Sequence, residues 1–265
     1  MTDPASLDAE AQAAIAAATA ALRAAQSVLF ITGAGMSADS GLPTYRGIGG
    51  LYQDRHTEDG FPIEVALSAT MMRRRPEVTW RYIAEIEAAC RGAGPNRGHR
   101  AIAELEARLP RVVVLTQNVE GLHQRAGSQK VIEIHGNVHR LRCTGCGARS
   151  TVESFEGLSI PPRCACGGLI RPEVVLFEEA LPGKAIADLS EELLRGFDAV
   201  VSVGTTSVFP YIAAPVVQAA EQGRATIEIN PGQSEVSEVV GIRIRTRAAV
   251  ALDRIVGALL LSPGR

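Results

Sequence analysis

Aromatic residues and long apolar runs are scarce in this chain. Phe, Trp and Tyr make up 4% of its 265 residues, and polar side chains such as Gln12, Thr19 and Arg23 interrupt even the Ala-rich opening. Because a membrane-spanning helix needs about 20 consecutive apolar residues, no membrane span is expected. Asp3 and Asp8 stand where a secretory signal would begin with basic residues. We therefore expect a cytoplasmic protein that does not associate with membranes.

The chain also lacks an excess of charge of one sign. It has 27 Lys and Arg residues against 29 Asp and Glu residues, a net charge of −2, with no long block of either sign. Proteins that bind nucleic acid rely on basic patches that neutralise phosphates, so no nucleic-acid partner is expected. Hydrophobic residues at 46% and charged residues at 21% are typical of a folded globular protein. The length is sufficient for an enzyme with its own core.

Cysteine is sparse, but four of the five cysteines are clustered. Cys143-x2-Cys146 and Cys164-x-Cys166 form two close pairs, which in a reducing compartment favour a metal over a disulfide. Four thiolates complete the tetrahedron around zinc and leave no position for water, so one structural zinc ion is predicted. The second pair has one spacer where two are usual, and four unliganded thiols are the alternative. Cys90 stands alone and is expected to be a buried helix residue.

Short runs rich in Val and Ile alternate with helical stretches along the chain. The predicted strands are residues 27–32, 111–116, 131–134, 198–203, 225–229 and 242–245. The predicted helices are residues 9–25, 76–90, 98–108, 184–195, 210–221 and 249–261. This alternation predicts an α/β fold with a doubly wound parallel sheet. Residues 47–75 and 140–172 do not fit the alternation and are interpreted as insertions.

A glycine-rich turn follows the first predicted strand directly. The stretch GAGMSA from Gly33 to Ala38 matches the pattern G-x-G-x-x-G/A, in which glycines let backbone amides approach a pyrophosphate. A tight strand-to-helix turn without a ligand would show the same pattern. A hydride-transferring dehydrogenase would end a second strand in an acidic residue about 20 residues on, but no predicted strand precedes Asp54. The layout favours a dinucleotide that is used in another way.

Polar residues close several further predicted strands, at 116–120, 204–207 and 228–230. Such residues are also common in plain turns, but the carboxyl ends of parallel strands share one edge, where ligands bind. His135 follows the strand at 131–134 at the same edge, and an imidazole titrates near neutrality, so it is the candidate general base. His56, His99, His123 and His139 are expected to be structural.

Taken together, these motifs resemble those of the sirtuins, the NAD-dependent protein lysine deacylases. In chain order they are GAGMSADSGLPTYRG (33–47), PNRGH (95–99), TQNVEGLH (116–123), EIHGN (133–137), the four cysteines, RPEVVLFEE (171–179), VGTTS (203–207) and EIN (228–230). The resemblance implies a Rossmann-like NAD-binding domain of residues 1–46, 95–139 and 172–265. It also implies a small inserted domain, made of a cofactor loop and helical module at 47–94 and a structural zinc module at 140–171.

The resemblance implies the reaction as well. NAD would be consumed as a co-substrate, and the acyl group of an acylated lysine in a protein or peptide would pass to ADP-ribose, releasing nicotinamide and O-acyl-ADP-ribose. His135 would be the base and Asn118 a second catalytic residue. The residues that would bind NAD are Gly33, Ala34, Gly35, Ala38, Tyr45, Arg46, Gln117, Asn118, Val119, Glu120, Gly204, Thr205, Thr206, Asn230 and Ala248. The residues that would contact the acylated substrate are Ile83, Ile86, Val175, Phe177 and Glu178.

Several positions depart from the family pattern. Glu120 stands where the family usually has Asp, Tyr45 where it has Phe, and Glu178 where it has Gly. The longer Glu120 side chain would crowd the nicotinamide pocket. Glu178 would place a side chain where the substrate peptide should pair with the edge of segment 174–179. An ADP-ribosyltransferase or NAD glycohydrolase on the same fold is the alternative activity, and a zinc-bearing interaction module without catalysis would leave His135 unexplained.

The acyl preference is expected to depend on the helix at 76–90. Sirtuins that prefer acidic acyl chains such as succinyl carry a Tyr-x-x-Arg pair there, whose guanidinium binds the carboxylate. Anchoring the comparison on Trp80 places Ile83 and Ile86 at those two positions. Two isoleucines would leave a succinyl carboxylate unpaired, so neutral acyl groups are expected. The alternative is that both isoleucines face the core of the helical module itself.

Overall fold

A computed structural model describes residues 7–43 and 59–260 of the chain. Its strands are β1 (Ser27–Thr32), β2 (Arg111–Thr116), β3 (Val131–Glu133), β4 (Gly136–Cys143), β5 (Arg149–Thr151), β6 (Ile170–Val174), β7 (Ala199–Val203), β8 (Ala225–Ile229) and β9 (Ile242–Ile244). Its helices are α1 (Ala9–Ala24), α2 (Ala34–Ser37), α3 (Ile63–Ala66), α4 (Ala69–Arg74), α5 (Pro76–Cys90), α6 (Arg97–Glu106), α7 (Leu122–Arg125), α8 (Gly183–Leu194), α9 (Pro210–Glu221) and α10 (Ala248–Leu260). None of the helices in these ranges is long and apolar enough to cross a membrane.

Six strands form a parallel sheet in the order β3-β2-β1-β7-β8-β9. Successive residues of a strand point to opposite faces, and in β1 both sets are buried. Val28 and Phe30 pack under α1, α6 and α10, whereas Leu29 and Ile31 pack under α8 and α9. The sheet is therefore covered on both faces, which explains the nearly continuous apolar runs in its strands. From β1 the strands β2 and β3 are added on one side of the sheet, and β7, β8 and β9 are added on the other side of β1. The strand order therefore reverses at β1.

The second core lies outside this sheet. An antiparallel sheet in the order β5-β4-β6 packs against the helical module of α3, α4 and α5. Trp80 of α5 is fully buried, donates its indole N–H to the carbonyl of Ile170 at 3.0 Å, and contacts the ring of Phe155. Gly136 begins β4 with φ +82°, and a Cβ there would lie 1.9 Å from the carbonyl oxygen of Glu173. The helical module and the antiparallel sheet thus share one apolar core.

Helix α6 begins with a reciprocal cap that also buries a histidine. The side chain of Asn96 accepts from the backbone N–H of Gly98 and His99, and Nδ1 of His99 accepts from the backbone N–H of Asn96 at 3.3 Å. The His99 ring lies 4.8 Å from that of His123, and both side chains are buried. Nε2 of His123 lies 3.0 Å from the hydroxyl of Thr32. Burial, with a smaller contribution from Arg100, lowers the pKa of His99 to about 4, and burial lowers the pKa of His123 as well.

The predicted α/β fold is confirmed, with element boundaries within two residues of the prediction. The strands at 27–32, 111–116 and 225–229 and the helices at 76–90 and 210–221 match residue for residue. The antiparallel sheet is not predicted from the sequence, because charged and polar residues interrupt the apolar residues of its strands. The division into modules stays a prediction: β4 and β6 run through the positions where the borders near 139 and 171 were placed.

Candidate active site

The glycine turn at the end of β1 touches the end of β7 backbone to backbone. Gly35 donates its N–H to the carbonyl of Gly204 at 2.8 Å, and Gly33 donates to Val203 at 3.1 Å. A Cβ on Gly35 would lie 2.7 Å from the Cα of Gly204, and Gly204 itself has φ +58°. Both positions therefore require glycine. The contact leaves a floor of exposed backbone at the point where the strand order reverses, which is where α/β sheets bind ligands.

Polar side chains from neighbouring strand ends are connected above this floor. Gln117, after β2, donates its amide to the hydroxyl of Thr205 at 2.8 Å, and Asn230, after β8, donates to the carbonyl of Thr205 at 3.0 Å. Asn118 donates to the carbonyl of Gly33 at 3.0 Å and to the hydroxyl of Ser37 at 3.1 Å. These bonds fix the amide orientations, so the strand ends form one preorganised polar surface.

A cavity of about 650 Å³ opens over that surface, between the parallel sheet and the second core. The predicted site residues that line it are Gly33, Ala34, Gly35, Ala38, Ile83, Ile86, Gln117, Asn118, Val119, His135, Val175, Phe177, Gly204, Thr205, Thr206, Asn230 and Ala248. Glu120 and Glu178 do not line it. Tyr45 and Arg46 lie outside the described residues.

His135 lies in the wall of the cavity, between β3 and β4. Its Nδ1 is 3.1 Å from the carbonyl oxygen of Gln117, and its Nε2 is 2.7 Å from the hydroxyl of Tyr211. Burial lowers the pKa of His135 below its usual value, and the Gln117 carbonyl opposes this shift. Because a carbonyl can only accept, Nδ1 carries the proton and the neutral ring presents its lone pair at Nε2. The geometry is that of a neutral imidazole able to act as a base near pH 7.

Glu120 lies in a smaller pocket beside the main cavity, together with Ser37, Asn118 and Cys90. It is 6% exposed, and its carboxylate accepts from the hydroxyl of Ser37. Burial raises the pKa of Glu120, although the hydrogen bonds it accepts oppose the rise. Cys90 is half-buried at the end of α5, less enclosed than expected, and burial raises the pKa of its thiol to about 12.

The isoleucines of α5 belong to the second core and also reach the cavity, and their contact with an acyl group stays a prediction. Ile83 and Ile86 are 2% and 9% exposed and belong to the second core, and the surface they retain lines the cavity. Leu67 and Val138 continue the same aliphatic wall.

The segment after β6 is already paired in part. Val175 donates its backbone N–H to His135 at 2.9 Å, and Phe177 exchanges backbone hydrogen bonds with Leu67 and Ala69. Glu178 has φ +71°, and its carboxylate accepts from the backbone N–H of Thr70 at 3.1 Å and from the Thr70 hydroxyl at 2.6 Å. The Glu178 side chain thus binds the first turn of α4, away from the cavity.

The four clustered cysteines form a group suited to one metal ion. Their sulfurs lie within 4.8 Å of one another, with Cys143 and Cys166 3.5 Å apart and Cys146 and Cys164 3.7 Å apart. A tetrahedron with Zn–S bonds of about 2.3 Å has edges of roughly 3.8 Å, so the donor set fits zinc. Backbone N–H groups, including that of Gly145, point at the sulfurs. None of the four lines the cavity, which agrees with a structural role.

The sequence prediction missed several residues at the cavity. Asp39 and Arg247 form an ion pair in its wall, and Ser37 connects Asn118 to Glu120. Ser37 belongs to the glycine-rich stretch and Asp39 directly follows it, so the motif could have indicated both. Arg247 and Tyr211 lie outside the quoted strand-end motifs, so the motifs carried no signal for them.

Comparisons with known proteins agree along nearly the whole chain. The sequence model described as the Sir2 family matches residues 33–210, more than half of the chain. The "NAD-dependent protein deacylase 2" of Pseudomonas aeruginosa is 53% identical over 247 residues, which cover 91% of this chain and 96% of that protein. A Sir2 homologue solved with NAD is 33% identical, with a TM-score of 0.82 over 92% of this chain and 93% of that one. A Sir2 protein solved with a deacetylated p53 peptide and 3'-O-acetyl-ADP-ribose is 28% identical, with a TM-score of 0.81 over 92% and 98%.

Proposed function

Because the chain belongs to the Sir2 family, we propose that it is an NAD-dependent protein lysine deacylase. It transfers the acyl group of a modified lysine to ADP-ribose and releases nicotinamide. The observation that carries this proposal is the cavity in which a neutral His135, the glycine floor and the fixed strand-end amides meet an aliphatic wall. That combination places a base beside a dinucleotide surface and an apolar channel.

Each part of the cavity has a task in this reaction. The backbone of Gly33, Gly35 and Gly204 lines the cavity and offers a surface for a pyrophosphate at the start of the turn into α2. Gln117 and Asn230 are held by Thr205, so their amides need not reorganise when the dinucleotide binds. NAD, when bound, supplies the ribose that receives the acyl group as nicotinamide leaves.

His135 moves the proton. Its Nε2 accepts a proton from the reacting hydroxyl, while Nδ1–H stays on the Gln117 carbonyl and keeps the ring in the correct tautomer. Asn118 donates to Gly33 and Ser37 at the border between the cavity and the smaller pocket of Glu120, so nicotinamide would lie in the cavity beside its fixed amide. The zinc module contributes folding free energy and takes no part in these steps.

The acyl group enters against the wall of Leu67, Ile83, Ile86 and Val138, so we propose a preference for neutral acyl chains. A carboxylate placed there without a partner would cost several kcal/mol. A neutral chain gains about 0.8 kcal/mol for each CH₂ that it buries. Acetyl and longer aliphatic chains are therefore preferred over succinyl.

Acetyl-, butyryl- and succinyl-lysine versions of one peptide, competed in one reaction with NAD, test both statements. Mass spectrometry should show deacylated peptide, nicotinamide and O-acyl-ADP-ribose in equal amounts, with the neutral chains consumed first. His135→Ala should abolish turnover and keep its zinc, whereas Ile86→Arg should move the preference toward succinyl. ADP-ribosylated peptide or plain NAD hydrolysis would contradict the activity, and a wild-type preference for succinyl would contradict the pocket.

We also propose that the protein works in the cytoplasm. The four clustered thiols support this location, because thiols remain available for zinc only where disulfides do not form. Cell fractionation followed by immunoblotting tests it, and recovery in an oxidising compartment would contradict it.

A further inference from the structure

The basic nitrogen of His135 is already engaged by a neighbouring side chain. Since Nδ1 donates to the carbonyl of Gln117, Nε2 carries the lone pair, and the Tyr211 hydroxyl lies 2.7 Å from it. The hydroxyl is therefore the donor in this bond. The atom through which His135 acts as a base is covered by Tyr211.

The position of Tyr211 is built into the turn between β7 and α9. In the loop after β7, Ser207 adopts φ +55° and donates its N–H to the hydroxyl of Thr205 at 3.1 Å. Pro210 begins α9, and Tyr211 is the next residue. Its ring stacks on that of Phe209, with centroids 5.4 Å apart and planes 11° apart, and both rings stand nearly perpendicular to the imidazole. The Phe209 ring thus supports one face of the Tyr211 ring, and the Tyr211 hydroxyl reaches Nε2 of His135.

Tyr211 is the titratable side chain that contacts His135 among the residues that the structure describes. Burial lowers the pKa of His135, the Gln117 carbonyl opposes this shift, and no charged side chain among the described residues contributes to it. On the side of β6 the neighbour of His135 is the backbone of Val175. Burial raises the pKa of Tyr211 to about 12, so its hydroxyl keeps its proton across the range in which an imidazole titrates. Tyr211 is a neutral donor throughout that range.

We propose that Tyr211 is a positioning residue. Its hydroxyl donates to Nε2 of His135 in the ligand-free enzyme, and the reacting hydroxyl of the substrate displaces it from Nε2. The inference rests on the proposed function, in which His135 is the base. A donor to Nε2 stabilises the neutral imidazole, because the imidazolium has no lone pair to offer. Tyr211 therefore keeps His135 ready to accept a proton, and it competes with substrate for the same lone pair.

The direct test is a histidine NMR titration of the zinc-loaded, ligand-free chain, with ¹⁵N-labelled side chains and His135→Asn to assign the signal. Wild type should show the tautomer protonated at Nδ1. Tyr211→Phe keeps the stacked ring and removes the donor, so the pKa of His135 should rise by about half a unit to one unit while the tautomer is retained. Tyr82→Phe is the matched control, because it removes a hydroxyl that donates to Asp59 at 3.0 Å, and neither residue lines the cavity. An unchanged pKa in Tyr211→Phe would overturn the proposal.

Kinetics give a second readout. The acidic limb of the pH profile of kcat/KM reports the free enzyme, so its apparent pKa should rise in Tyr211→Phe. The acidic limb of kcat reports the complex, in which Tyr211 has been displaced, so its apparent pKa should not change. KM should fall, since a competitor is gone. A loss of thermal stability with both limbs and KM unchanged would show a purely structural role and overturn the proposal. If wild type does not deacylate, the proposed function fails, and the NMR titration still decides the role of Tyr211.

Discussion

The buried pair His99 and His123 predicts that the chain loses stability as the pH falls below about 6.5. The pKa of His99 is about 4 in the folded chain and about 6.5 in an unfolded one. Between these values the unfolded state binds more protons, so protonation favours unfolding. The stabilisation is complete above the unfolded pKa and is lost as the pH falls through this window. At pH 5 the linkage relation gives a loss of about 2 kcal/mol from His99 alone, and His123 adds to it with the same sign.

His99→Gln isolates the contribution of the first histidine. Glutamine does not titrate, and its side-chain oxygen can accept from the backbone N–H of Asn96 in place of Nδ1, as in a usual capping box. Urea unfolding followed by circular dichroism at pH 7 and pH 5 gives the loss of unfolding free energy for each protein. The loss should be about 2 kcal/mol smaller in His99→Gln. Acid weakening of the zinc site affects both proteins alike and cancels in this difference. Equal losses in both proteins would refute the reasoning.

Two further substitutions have defined outcomes. Cys166→Ser should lose the zinc ion and have a lower melting temperature, because zinc binding contributes folding free energy. Metal analysis should find about one zinc per chain in wild type and in the control Cys90→Ser. Zinc retained by Cys166→Ser would contradict the assignment. Glu120→Asp shortens the side chain in the small pocket beside Ser37 and Cys90, so turnover should rise, by up to about 100-fold for a displacement near 1 Å. Inhibition by nicotinamide should rise as well, and unchanged values of both would mean that the pocket has adapted to glutamate.

The parts of the fold that could be predicted are those in which one local pattern determines the structure. β1, β2 and β8 are buried on both faces, so their apolar runs reveal their boundaries. The antiparallel sheet depends instead on clustered cysteines and on a core supplied by α5, which no stretch of β4 or β6 shows alone. In the site, glycines and strand-end amides carry sequence signatures. The bond from Tyr211 to His135 depends on the turn at Ser207, whose positive φ no local residue pattern indicates.

The backbone contact between Gly35 and Gly204 has a consequence for how this enzyme can diverge. Any side chain at either position would push β1 and β7 apart, so the glycine floor cannot accept a larger residue there without a shift of the backbone. The opposite wall is different, since Ile83 and Ile86 project from a helix whose backbone is independent of the sheet. Exchanges there change the lining and leave the floor intact. Under the acyl preference proposed above, descendants of this sequence can acquire new acyl preferences while the glycine floor stays unchanged.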